Sequence, residues 1–125
     1  MNHFPRISAH SSQEAVSYKA LQPAELYQQI VSHDQDTYLL QVNCQVMKEA
    51  GINKGDKILV NRHQAVKNGS IVIVLLDGEL LIRSLQLEHG RCRLVPACKH
   101  LSPIEIHEKD LMIWGVISHV IKCVP

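Results

Sequence analysis

The sequence predicts a mainly β domain, a curved antiparallel or barrel-like sheet with one short helix near its start. Three observations carry this expectation. Apolar runs rich in β-branched residues recur between turn signals. Asp77-Gly78 joins two of them, Ile71-Val72-Ile73-Val74-Leu75-Leu76 and Glu79-Leu80-Leu81-Ile82-Arg83-Ser84-Leu85-Gln86-Leu87, as a hairpin with the positive φ angles of a type I′ turn. Only the stretch after Pro23 has a helical period. A chain of 125 residues with a 46% hydrophobic share is the size of one ordinary domain and can build a core without staples. Residues 22–125 are therefore expected to form one domain behind an arm of residues 1–21.

Residues 1–21 show neither period, and Ile7-Ser8-Ala9-His10-Ser11-Ser12-Gln13 is small and polar. Pro23 suits the first helical position, Glu25 complements the helix N-terminus, and Leu26, Tyr27, Ile30 and Val31 form an apolar stripe ending at His33-Asp34. Thr37-Tyr38-Leu39-Leu40-Gln41-Val42 reads as the first strand. Alternation is then lost from Asn43 to Ile52, and Asn53-Lys54-Gly55-Asp56 turns the chain into the strand Lys57-Ile58-Leu59-Val60-Asn61. A loop from Ala65 to Gly69 feeds the hairpin. Its first strand has no polar residue at either parity, so it is expected to be covered on both faces. On the return strand Leu81, Arg83, Leu85 and Leu87 share a parity, which places a guanidinium on the more apolar face. Such a group must reach water or a polar partner. Arg91-Cys92-Arg93-Leu94-Val95 continues the sheet after His89-Gly90, and Ser102-Pro103-Ile104-Glu105-Ile106 reads as an edge strand because proline cannot donate to a ladder. Residues 111–124 read as a long final strand, with Met112, Trp114, Val116 and Val120 on one side and Ile113, Ile117 and Ile121 on the other. One core covers only one such side. The other is expected to close a homodimer through Ile113, Gly115, Ile117, His119, Val120 and Ile121.

Thirteen basic and twelve acidic side chains leave a net charge of +1, which gives no reason to expect non-specific nucleic-acid or membrane binding. No apolar stretch of membrane-spanning length and no secretory leader are visible, so a cytoplasmic location is expected. Cys44, Cys92, Cys98 and Cys123 need not form a disulfide framework. Eight histidines raise the question of a metal, but Cys92, Cys98 and His100 lack the two tight ligand pairs of a structural zinc site. No phosphate-binding glycine loop occurs. Neither metal nor cofactor is expected. Asp56, Glu79, Glu105 and Asp110 stand singly at turns or strand ends, where solvation is the ordinary explanation.

Thr37-Tyr38, Met47, Gly51-Ile52, Gly55-Asp56, Ile58-Leu59-Val60, Gly69, Ile71-Val72-Ile73, Asp77-Gly78-Glu79, Leu85-Gln86-Leu87, Pro96, Ser102-Pro103-Ile104 and Gly115-Val116 resemble, in ungapped register through the core, the UmuD/LexA-like family of self-cleaving serine peptidases. The resemblance covers residues 22–124 and is closest to the processed UmuD′ form. It implies the β-rich peptidase fold of that family, a homodimer using the last strand, and a role in the SOS response to DNA damage. The family places a serine nucleophile before the methionine of the first loop and a general-base lysine on the hairpin's return strand. Here those positions hold Val46 and Arg83. Valine has no atom that attacks a carbonyl, and an arginine does not give up its proton in proteins.

The Ser-Lys dyad is thus lost at both places, and no catalytic residue remains by family position. The first glycine is Gly51, so the family's cleavage target before a glycine near the N-terminus is also missing, and Met1-Asn2-His3-Phe4-Pro5 resembles the segment that lies just after that cut. The resemblance implies a chain already in its shortened form, without the LexA DNA-binding domain and hence without sequence-specific DNA binding. The function expected is a catalytically inactive accessory dimer that binds an error-prone Y-family DNA polymerase in translesion synthesis. The alternative is a pseudo-peptidase that pairs with an active UmuD or LexA paralogue and alters its self-cleavage. A RecA filament is a further partner candidate. Cys44, activated by Arg83, is a third reading as a displaced nucleophile; against it stands the ordinary role of cysteine as a small buried apolar residue.

Overall fold

Seven strands come after one helix in the computed structural model, which describes residues 20–30 and 36–125. The chain divides into two units, Met1–Ile30 and Val31–Pro125. Within the first, helix α1 (Pro23–Ile30) begins at the expected proline with Glu25 in its first turn. Residues 1–19 of the expected arm lie outside the described residues.

The second unit holds β1 (Thr37–Gln41), β2 (Lys57–Asn61), β3 (Ile71–Leu76), β4 (Glu79–Glu88), β5 (Arg91–Val95), β6 (Ile104–His107) and β7 (Ile113–Ile121). They form one sheet in the order β1-β2-β7-β3-β4-β5-β6, with every pairing antiparallel. The mainly β expectation is met. The β3–β4 hairpin turns on Asp77 and Gly78, whose φ angles of 50° and 79° are the left-handed pair that a type I′ turn requires. As expected, β6 lies at the sheet's edge, with Pro103 just before it.

The sheet carries a core on each face. Val42, Met47, Ile52, Ile58, Val60, Ile73 and Ile82 form one cluster; Val72, Val74, Leu85, Cys92, Leu94 and Val116 form the other. Strand β3 divides them, sending Ile73 to the first and Val72 and Val74 to the second, so it is indeed covered on both sides.

The final strand departs from expectation in three ways. It is shorter, Ile113–Ile121 rather than residues 111–124. It lies between β2 and β3, with both edges paired. And its faces do not alternate strictly, because Trp114 and Ile117 pack on the first cluster while Ile113 and Val116 pack on the second. The first of two bulges causes this. Against β3 the partner steps from Gly115 to Ile113, leaving Trp114 unmatched; against β2 it steps from His119 to Ile117, leaving Ser118 unmatched. Each extra residue reverses the parity of the positions beyond it. Double burial is confined to the strand's first half, since Ser118 to Ile121 are exposed.

Candidate functional site

The segment between β1 and β2 loses alternation because it is held by loop hydrogen bonds instead of a ladder. Val42 N–H donates to the Asp56 carbonyl at 2.8 Å, and Gly55 N–H returns to the Val42 carbonyl at 2.8 Å, closing the loop's base. Met47 and Ile52, each 1% exposed, pin its middle to the first core cluster. The next contacts set Val46 in place: its carbonyl accepts from Ala97 N–H at 2.9 Å, and Glu49 N–H donates to the Ala97 carbonyl at 2.9 Å. The loop is thus tied to the segment after β5.

Asp56 closes the same loop from the other side. Its Oδ2 accepts from Asn53 N–H at 2.8 Å and also from the Lys122 ammonium just beyond β7. This corrects the reading of Asp56 as a merely solvated carboxylate. The Lys122 hydrogen bond, then that from Asn53, holds its carboxyl below the usual carboxylate range, against the opposing effect of burial. A depressed folded-state pKa contributes stability that is present above the unfolded value and lost as pH falls through the folded one. Lys122→Met is therefore expected to flatten the loss of urea resistance between about pH 5 and about pH 3 relative to wild type, measured as the unfolding midpoint at each pH. Among the other single carboxylates, Glu105 stands 3.7 Å from Arg93 Nε.

Val46 and Arg83, far apart in sequence, line one cavity of about 370 Å³. Leu40, Val42, Cys44, Ile58, Ile73, Leu80, Leu81 and Ile82 supply its apolar wall, and Gln41 and Asn43 its neutral polar groups. Among the described residues no imidazole, amine or carboxylate lines it. Arg83 is 7% exposed. Its Nη1 donates to the carbonyl of Ile82 at 2.8 Å, while its Nε has no hydrogen-bond partner. The guanidinium thus finds a polar partner inside the cavity, but a neutral one. Cys44 is half-buried and packs on the first core cluster.

A match to the Peptidase S24-like family spans residues 3–118. The chain belongs to that family. Protein MucA of Salmonella typhimurium is 32% identical over 116 residues, covering 91% of this chain and 78% of MucA. The LexA repressor of Alcanivorax borkumensis is 34% identical over 86 residues, covering 69% of this chain and 42% of the repressor. That of Desulforamulus reducens is 39% identical over 75 residues, covering 60% of this chain and 35% of the repressor. The chain thus spans less than half the length of the LexA repressors it matches. The mainly β chain, one seven-stranded antiparallel sheet with a short helix, is consistent with the peptidase-type fold that the sequence resemblance implies.

The expected interface residues fall into two groups. Gly115 is buried within the S24-like core, and Ile113 and Ile117 pack on its two clusters. His119, Val120 and Ile121 are exposed. Two further apolar residues are exposed, Leu39 on β1 at 56% and Val124 beyond β7 at 86%. At the opposite end of β7, Trp114 meets Tyr38 in a tilted contact, ring centroids 5.2 Å apart, and lies under the Arg62 guanidinium at 4.7 Å. Sequence reasoning missed that cluster, whose members come from three strand regions. Cys92 is buried, which raises its thiol pKa, with Glu108 adding to the rise; Cys98 is half-buried and His100 exposed. Among the described residues no group of three metal-ligating side chains gathers. Nor is any helix among them long and apolar enough to cross a membrane.

Proposed function

We propose that this S24-like chain is a catalytically inactive, UmuD′-like accessory protein of the SOS response, a dimer that binds an error-prone Y-family DNA polymerase in translesion synthesis. The observation that carries this reading is the composition of the cavity. By family resemblance Val46 occupies the position from which the family's serine attacks and Arg83 that of its lysine, and among the described residues no other lining side chain supplies a base. The match takes in 78% of MucA but 42% of the A. borkumensis LexA repressor, which supports a role other than that of a repressor. The exposed apolar end of β7 supports two-fold self-association.

A tagged copy recovered from DNA-damaged cells of the source organism is expected to bring down a Y-family polymerase. Recovery of an intact S24 peptidase paralogue in its place would establish the regulatory alternative. Sedimentation at micromolar concentration is expected to show a dimer of the 14.1 kDa chain. Val120→Lys, at a residue 38% exposed, is expected to yield a folded monomer. A wild-type protein that remains at the mass of one chain as concentration rises would refute the dimer.

A further inference from the structure

Among the described residues, Arg83 is the one charged side chain lining the cavity. It is 93% withdrawn from solvent, as its 7% exposure implies, and among the described residues no carboxylate pairs with it. A guanidinium presents five N–H donors in a planar fork, of which one is committed to the Ile82 carbonyl, while the Nε donor has no partner among the described residues. A buried cation in this condition is costly, and an anion that docks beside it recovers part of that cost. The surroundings narrow the choice of anion. Leu40, Val46, Ile58, Ile73 and Leu80 make the wall chiefly aliphatic, so the complement has an apolar body. With a single cation and, among the described residues, Gln41 and Asn43 as the further neutral polar side chains, the cavity matches one negative charge on two oxygens. A phosphate dianion would bring more charge than one guanidinium neutralises. Two parallel N–H···O bonds from the fork suit a planar carboxylate, and a cavity of about 370 Å³ has the size of a small-ligand site.

We propose that this cavity binds a monocarboxylate with an apolar body, its carboxylate on Arg83 and its aliphatic part against the wall. A site that in its relatives faces a neutral peptide bond would here recognise a terminal acid. The same chemistry is offered by a free aliphatic acid and by the apolar C-terminal residue of a peptide, and the test separates them.

Titration calorimetry on the full chain uses octanoate and N-acetyl-leucyl-leucine, each compared with its own neutral amide. At least one acid is expected to bind saturably, roughly tenfold or more tightly than its amide. Arg83→Met is expected to abolish that preference. Preference for octanoate alone assigns the site to a free acid, and preference for the peptide acid alone assigns it to a chain terminus. If neither acid is preferred to its amide, or if Arg83→Met retains the preference, the proposal is overturned. Should Arg83→Met fail to fold, Val46→Phe, which fills the cavity from the loop side, must weaken acid binding at least tenfold; unchanged binding overturns the proposal equally. The acid-over-amide preference is independent of which protein the chain recruits, so its failure leaves the accessory reading intact and the converse also holds.

Discussion

The purified protein, held at alkaline pH or mixed with a RecA–DNA filament, is expected to stay at full mass and to leave a UmuD-like substrate uncut. Serine-type self-cleavage needs an oxygen nucleophile and a neutral base within reach of it. Val46 supplies no nucleophile, and the guanidinium of Arg83 supplies no base. Removing either member of such a pair costs on the order of 10⁶ in kcat, and losses within one catalytic unit do not add, so the absence of both leaves no measurable rate. Val46→Ser with Arg83→Lys restores the chemical groups at two positions that line one cavity. Weak cleavage in trans is the most that this double variant should reach. Cys44 lies two residues before Val46, at a position where the UmuD resemblance places glycine, and a side chain there alters the loop that would have to present oxyanion donors. Intact-mass measurement over hours is the assay. A shorter wild-type product that disappears on Cys44→Ala would establish a thiol enzyme, and brisk cleavage by the double variant would show that the loop kept its catalytic geometry.

The second large effect is structural. Gly115→Ala is expected to destabilise the protein by about 1–3 kcal/mol, read from the urea midpoint. A Cβ at this position would stand 2.4 Å from Val60 Cγ1 and 3.3 Å from the Asn61 carbonyl oxygen. Val60 is wholly buried in the first core cluster and cannot swing aside. Nearby bulges also leave β7 little freedom to retreat from β2. Removing the obstructing methyl groups gives the discriminating control. In a Gly115→Ala/Val60→Ala double variant the penalties should fall short of their sum by on the order of 1 kcal/mol. Additive penalties, or an unaffected Gly115→Ala protein, would refute the close approach as the reason for glycine.

The readable parts of this fold were those decided within a few residues. Pro23 and Glu25 announce the helix start, Asp77-Gly78 announces the hairpin, and Pro103 announces a strand that cannot lie mid-sheet. The bulges of β7 were not readable, because an unmatched residue is defined by the partner strand and nothing near Trp114 or Ser118 marks it. That one hidden feature scrambled the assignment of faces along the strand. At the site, Val46 and Arg83 were picked out by family resemblance, and their common cavity gives the pairing its physical content. Asp56 looked solitary because its ammonium partner, Lys122, is 66 residues away. The unpaired Nε of Arg83 was equally beyond reach, since only packing decides which of a guanidinium's donors meet nothing.

The position of β7 also dictates when the molecule can be completed. Strands β1 and β2 pair with each other, β3 to β6 form a second ladder of neighbours, and in the strand pairing these two half-sheets meet through β7. On a ribosome, each half can begin its own local pairing as it emerges, but neither can close its exposed side until Ile113–Ile121 has been synthesised and has threaded between them. Both facing edges, of β2 and of β3, therefore stay open as templates for another chain throughout that interval. The slow, high-separation step comes last. Chains interrupted before this strand should accumulate as aggregation-prone half-sheets, with β1–β2 and β3–β6 waiting for the same missing partner.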